Sequence, residues 1–293
     1  MTLRKKVLIL GSTGMLGHQV VNYLKGFSDF IVDDISYRNK LRMSTIIVDA
    51  MSKSVLEEAI VKLKPDFIIN CIGILVKGSQ DEERAIYLNA YLPHQLKTIA
   101  KNINSKLIHI STDCVFSGSR GQYIETDSRD GQGVYSQTKI LGEIVDSVNL
   151  TLRTSIIGPE LKNNGEGLFH WFMNQSSDVS GYTKAIWSGV TTIELAKAVK
   201  WSIDNNITGL YHVTNNSSIS KYDLLQLFQK HTKKSIRIKS INGKYVDKSF
   251  IDTKLLMDYE IPSYEKMVVE MIDSIVNNRA LYSQYKVGSF DKE

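Results

Sequence analysis

Apolar residues in the first half of the chain gather in short runs. Val7 to Leu10, Phe30 to Val32, Thr45 to Val48, Phe67 to Cys71, Leu107 to Ile110 and Leu150 to Leu152 are apolar throughout or nearly so and rich in β-branched residues. Strands without polar alternation are buried on both faces, which suits a parallel sheet covered by helices. Val55 to Leu63 and Asp81 to Lys101 carry helical spacing between them, so the pattern reads β-α-β. The expected fold is α/β: a Rossmann-type doubly wound parallel sheet with a smaller C-terminal α/β domain.

Beyond Gly158 the strict alternation stops. Thr191 to Asp204 and Lys221 to His231 read as helices with a strand at Leu210 to Val213 between them. Ser235 to Ser240 and Met267 to Val276 predict a further strand and a closing helix, with turns at Gly243 and Pro262. The pattern divides the chain into residues 1–157 and 158–293, with the segment near 183–213 able to return to the first unit. The tail from Leu281 is polar and is expected to fray.

Composition narrows the class. The 293 residues are 42% apolar and 23% charged, which excludes disordered and fibrous chains. No apolar run approaches the roughly 18 residues that span a bilayer. Arg4-Lys5-Lys6 before Val7 to Leu10 is too short for a signal sequence and runs into glycines, so a cytoplasmic protein without membrane association is expected. Cys71 and Cys114 are too few for a disulfide scaffold and are expected as free thiols. A net charge of +5 favours an anionic small ligand over nucleic acid. The basic run Lys230, Lys233, Lys234, Arg237 and Lys239 reads as the solvated face of a strand, because Ile236 and Ile238 alternate with Arg237 and Lys239. No histidine spacing suits a metal, and none is expected.

Candidate chemistry begins at the first strand, which runs into Gly11-Ser12-Thr13-Gly14-Met15-Leu16-Gly17 and then a helix. A glycine-rich turn there lets backbone approach a pyrophosphate, whose charge rests on the helix N-terminus. The residues after the second strand select the cofactor: an acid binds a ribose 2′-hydroxyl and a base accepts a 2′-phosphate. Asp33 and Asp34 point to NADH and Arg38 to NADPH. A lengthened turn around Gly26 to Asp29 moves Arg38 toward the strand mouth, so NADPH is expected, with NADH open. Asp49 and Ala50 end the third strand, where Asp49 suits an adenine amino group or a helix cap.

Tyr135 and Lys139 lie four apart, on one face of a helix. A neighbouring ammonium lowers a phenol pKa, which would make Tyr135 a usable proton donor and acceptor. Thr112, just past the strand ending at Ile110, can hold a carbonyl oxygen against Tyr135. The order of glycine loop, Thr112, Tyr135 and Lys139 resembles the extended short-chain dehydrogenase/reductase superfamily. Ser111-Thr112-Asp113-Cys114-Val115-Phe116-Ser117-Gly118, Glu125-Thr126-Asp127 and Leu152-Arg153-Thr154-Ser155 look like its dTDP-4-dehydrorhamnose reductase branch.

That resemblance, over about residues 5 to 215, implies catalytic Thr112, Tyr135 and Lys139. It places Asn70, Cys71, Ile72, Gly73 and Thr154 to Gly158 beside the cofactor, and Asn89 in support of Lys139. It implies NADPH-dependent reduction of the C4 ketone of a nucleoside-diphosphate 4-keto-6-deoxy sugar, for surface polysaccharide. Asp113, Cys114 and Trp187 become substrate contacts, with Gly189, Val190 and Thr191 close by. A homodimer stays open. Related 4,6-dehydratases carry glutamate where this chain has Cys114, which argues against water elimination. GDP-fucose synthase pairs a cysteine there with a histidine, so Cys114 and His170 could form an epimerase pair; a small buried thiol and a surface histidine are the plainer alternative. A non-catalytic NADP-binding subunit, like the regulatory subunit of methionine adenosyltransferase, is the other reading.

Overall fold

The apolar runs assemble into one parallel sheet. The computed structural model describes residues 4–254, 258 and 260–287. Its strands begin with β1 (Lys5–Leu10), β2 (Phe30–Ser36), β3 (Ile46–Ile47), β4 (Phe67–Asn70), β5 (Lys106–Thr112) and β6 (Leu150–Thr154). There follow β7 (Ile156–Ile157), β8 (Val179–Tyr182), β9 (Ala185–Trp187), β10 (Val190–Thr191) and β11 (Gly209–His212). The seven-stranded order is β11-β6-β5-β4-β1-β2-β3, and every pair is parallel. Strand order reverses between β1 and β4, which opens a crevice at the carboxyl ends. Along β1, Val7 and Ile9 enter one core while Leu8 and Leu10 enter the other, so the sheet is dry on both faces.

Helices α1 (Gly17–Leu24), α2 (Lys53–Leu63), α3 (Glu82–Ala85), α4 (Leu92–Asn102) and α5 (Gly133–Leu141) belong to the first half. The second contributes α6 (Leu168–Met173), α7 (Thr192–Asp204), α8 (Lys221–Thr232) and α9 (Tyr264–Asn277). Hydroxyl caps set several starts: Thr191 accepts from the Glu194 amide (3.3 Å) and Ser220 from the Asp223 amide (3.0 Å). Short strands β12 (Ile219–Ser220), β13 (Ile238–Ile241) and β14 (Val246–Asp247) join β8 and β9 in two small sheets.

Two expectations change. The helix expected over Asp81 to Lys101 is broken by a π turn, Ile86–Tyr91, between α3 and α4. Pro93 has no amide hydrogen to give the Asn89 carbonyl, so the regular turn cannot close there. The tail also does not fray at Leu281. Tyr282 and Tyr285 are buried, and residues 288–293 lie outside the described residues. The Tyr282 hydroxyl accepts from Gln19 Nε2 (2.7 Å) and lies 2.9 Å from His18 Nε2. His18 Nδ1 donates to the Gly14 carbonyl (2.7 Å), and burial drops the ring to about 4, so it is neutral and its Nε2 accepts from Tyr282. The tail thereby braces the glycine loop.

A buried ion pair ties the sheet to α5. Arg153 on β6 meets Glu143 with two parallel bonds, Nε to Oε1 at 2.8 Å and Nη2 to Oε2 at 2.7 Å. Ser111 (2.6 Å) and Arg129 (3.0 Å) also donate to that carboxylate. Burial pushes Glu143 up, but Arg153, Ser111 and Arg129 outweigh it and leave it below the ordinary carboxylate range. Arg153 Nη1 lies 2.9 Å from His212 Nε2, and His212 Nδ1 donates to the Ile251 carbonyl (2.8 Å). We expect Glu143→Gln to lower unfolding free energy by about 3–5 kcal/mol, because the Arg153 charge is left buried and uncompensated. Urea denaturation measures this, and a loss below about 1 kcal/mol would show that the pair is dispensable.

Candidate active site

A cavity of about 850 Å³ occupies the crevice above β1 and β4. Its volume is at the upper end of small-molecule sites, which run to about 1,000 Å³. The glycine loop provides Gly11, Thr13, Gly14, Met15 and Leu16 to the wall. Gly11 has φ +81°, and a Cβ there would sit 3.2 Å from the Cys71 carbonyl. Gly17 stays out of the wall for another reason: its Cβ would lie 2.2 Å from the Gly11 oxygen, so only glycine lets α1 start this close to the loop. The helix N-terminus thus opens onto the cavity through a cradle suited to a phosphate group.

Other elements complete the wall. Asp49 and Ala50 come from the end of β3, and Asn70, Cys71, Ile72 and Gly73 from the end of β4. Asp49 Oδ1 accepts from the Met51 amide (3.0 Å), so its side chain shapes the turn into α2 while facing the cavity. Asn89 sits in the π turn, bonds both the amide and the carbonyl of Ile74 (2.8 and 3.0 Å) and donates to Thr138 (3.2 Å). It clamps the β4 loop onto α5 and acts on the helix beside Lys139. Thr154, Ser155 and Ile156 line the cavity, whereas Ile157 and Gly158 do not.

At the opposite end, Thr112, Asp113, Cys114, Tyr135 and Lys139 converge. The Thr112 hydroxyl donates to Asp113 Oδ1 (3.0 Å) and accepts from the Cys114 amide (3.2 Å), on the same stretch of wall as Tyr135. Lys139 Nζ donates to the Ile110 carbonyl at 2.8 Å. Its pKa falls to about 8 through burial, with Glu143 opposing. The Tyr135 phenol lies well above its ordinary range: burial is the main cause, Cys114 and Asp113 add, and Thr112 opposes. The expected lowering of Tyr135 by Lys139 does not appear here: the ammonium is turned to the Ile110 carbonyl.

The Cys114 thiol is pushed up to about 11 by burial and the Asp113 carboxylate, against Lys248 and Thr112. Asp113 is itself raised by burial, with Lys248 and Lys221 opposing. Lys248, just beyond β14, is a contact that no local pattern announces.

Several expected positions lie outside the cavity wall. His170 is buried, with Nδ1 2.7 Å from the Tyr285 hydroxyl and Nε2 3.2 Å from the Asn163 carbonyl; both nitrogens are used, and it is absent from the cavity wall. The Cys114–His170 pair is not assembled, nor is His170 a surface residue, because α6 turns it onto the tail. Trp187 is also buried away from the wall: its indole donates to Ser155 Oγ (2.8 Å) and packs 5.5 Å from the Tyr264 ring. Arg38 is outside the wall, exposed two residues past β2 with its guanidinium 4.4 Å from the Tyr37 ring. Neither Asp33 nor Asp34 lines the cavity; the Asp34 carboxylate is held by Arg42 Nε (2.5 Å) and Thr45 (2.8 Å). Tyr37, Arg84 and Glu160 do line it and were not anticipated.

Among the described residues, no group of three or more His, Cys, Asp or Glu is arranged for a metal, and no helix is long and apolar enough to cross a membrane.

A seven-stranded doubly wound sheet whose glycine loop shares a cavity with a tyrosine and a lysine one helical turn apart defines an extended short-chain dehydrogenase/reductase fold. The chain belongs to the RmlD substrate binding domain family, whose model matches residues 5–249. The dTDP-4-keto-6-deoxy-D-glucose reductase of Streptomyces niveus is 24% identical over 234 residues, 75% of this chain and 76% of that one. Methionine adenosyltransferase 2 subunit beta of Xenopus laevis is 25% identical over 236 residues, 75% of this chain and 70% of that one. The crystal structure of dTDP-4-dehydrorhamnose reductase from Bacillus anthracis, in complex with NADP, shares the fold with a TM-score of 0.80 at 19% identity, covering 93% of this chain and 100% of that one.

The raised thiol gives a test of the site's electrostatics. In a Cys71→Ser background, alkylation of Cys114 by iodoacetamide should quicken about tenfold per pH unit from pH 7 to 10, because thiolate is scarce until about 11. A plateau near pH 9 would show an ordinary thiol.

Proposed function

We propose that the protein reduces the C4 ketone of a nucleoside-diphosphate 4-keto-6-deoxy sugar with NADPH, in the manner of the dTDP-4-dehydrorhamnose reductase group. The observation that carries this reading is the convergence of Thr112, Tyr135 and Lys139 in the cavity that the glycine loop opens onto. The cradle of Gly11, Gly14 and Gly17 fits a dinucleotide pyrophosphate, and the sugar end falls beside Asp113 and Cys114. Residues 158–293 would supply the nucleotide-recognising unit. Its place would be the cytoplasm, where it supplies an activated deoxysugar for surface polysaccharide.

The nicotinamide, when bound, supplies a hydride to the ketone carbon. This chain's residues manage the oxygen. Burial keeps the Tyr135 phenol protonated through neutral pH, which is the form that can give a proton to an alkoxide. Thr112 must turn its hydroxyl from Asp113 toward the ketone oxygen, so that two donors meet the growing negative charge. Lys139, anchored on the Ile110 carbonyl, would use its charge on the nicotinamide ribose and not on the phenolate. Cys114, protonated at neutral pH, stays a neutral wall of the sugar site.

The Xenopus laevis relative keeps a binding-subunit reading in view. NADPH oxidation against a panel of dTDP-, UDP- and GDP-linked 4-keto-6-deoxy sugars decides between them. Tyr135→Phe should cut the rate on the accepted sugar by about 10²-fold or more. A rate kept within about threefold would remove Tyr135 from the chemistry. The kcat/KM profile should fall on the alkaline side with an apparent pKa near 8, as Lys139 loses its charge. A profile flat to pH 10 would contradict that role.

A further inference from the structure

The cavity end beside β2 holds chemistry that the reduction does not use. Tyr37 lines the wall there, and Arg84 lines it from α3, in the segment that links β4 to the π turn. Two guanidinium groups lie over the Tyr37 ring, that of Arg38 at 4.4 Å and that of Arg84 at 5.3 Å from its centroid. Arg38 also donates to the Tyr37 hydroxyl (3.2 Å). Asp81 fixes the backbone below by accepting from the Arg84 amide (3.1 Å).

Neither guanidinium has a carboxylate partner among the described residues, whereas Arg42, Arg120, Arg129 and Arg153 each form an ion pair. Arg84 Nε is buried without a hydrogen-bond acceptor. A buried N–H left unsatisfied costs stability, which a site accepts where a ligand oxygen completes it. Asp34, in β2, is held by Arg42 and Thr45 and is not on the cavity wall, and Asp81, which does line the wall, is engaged by the Arg84 amide.

We propose that Arg84 and Arg38, spaced by the Tyr37 ring, form a two-armed clamp for the 2′-phosphate of NADPH, and that Arg84 sets the preference over NADH. The inference rests on the dinucleotide reading of the cavity. A phosphomonoester carries nearly two negative charges and three acceptor oxygens, which match planar guanidinium forks. Stacking on Tyr37 holds the arginines before the ligand arrives, so little side-chain freedom is lost on binding. Because Arg84 follows the loop that supplies Ile72 and Gly73 to the wall, a phosphate held there would fasten that loop to the end of β2.

Calorimetric titration of the full chain with 2′,5′-ADP and with 5′-AMP tests the clamp without turnover. Wild type should prefer 2′,5′-ADP, and Arg84→Met should weaken that ligand about ten- to a hundredfold while changing 5′-AMP by less than about twofold. Arg84→Lys, which keeps the charge but loses the fork, should fall between the two and covers the case in which Arg84→Met does not fold. Equal weakening of both nucleotides, or no change in 2′,5′-ADP affinity, would overturn the proposal. Wild type that binds both nucleotides equally also overturns it, yet leaves the dinucleotide site standing. Wild type that binds neither overturns the dinucleotide reading and the clamp with it.

Discussion

The active end of the molecule hangs on the buried pair between Glu143 and Arg153. Taking two charges out of water is costly, and here the cost is met by two parallel short bonds, by Ser111 and Arg129 on the carboxylate, and by His212 and the Phe116 face on the guanidinium. The pair joins the end of α5, the edge of β5, the centre of β6 and, through His212, strand β11. Tyr135 and Lys139 ride on α5, and Thr112 ends β5. Their mutual geometry thus rests on electrostatics set one layer below the cavity, with the Asn89 clamp holding α5 to the β4 loop.

Burial also sets the proton chemistry. It holds Tyr135 as a phenol, brings Lys139 to about 8 and keeps Cys114 a thiol up to about 11. Such a site keeps its phenol and thiol protonated and offers no carboxylate or thiolate base beside them at neutral pH except Asp113, itself raised by burial, which suits carbonyl reduction better than exchange at a neighbouring carbon. His170 agrees with this division, since both its ring nitrogens are committed to the tail and to Asn163. The burial of these three side chains therefore selects among the reactions the site could run.

Long-range packing supports the cofactor end in a comparable way. Tyr282 reaches the glycine loop through His18 and Gly14, and Tyr285 accepts from the Glu160 amide beside the rim. A polar tail reads locally as one that frays, yet two phenols with waiting partners are enough to dock it. The partners lie more than a hundred residues away in sequence, so no local pattern reveals them.

Periodicity and turn chemistry alone determined the parallel sheet, the glycine loop after β1 and the shared face of Tyr135 and Lys139, because each depends on neighbours within one or two turns of chain. Local signals also marked Thr112, Asp49 and the β4 residues Asn70 to Gly73, all at strand ends where the topology must open a crevice. They misplaced Trp187 and His170, whose orientation follows from what they pack against and not from where they stand in the chain. Only the tertiary structure decided that Asp34 is spent on Arg42, that Arg84 joins the wall, that Lys248 meets Cys114 and that Lys139 bonds Ile110 instead of Tyr135. The physical reason is common to all four: desolvation and long-range contact set a charged side chain's partner, and neither is encoded within a few residues of it.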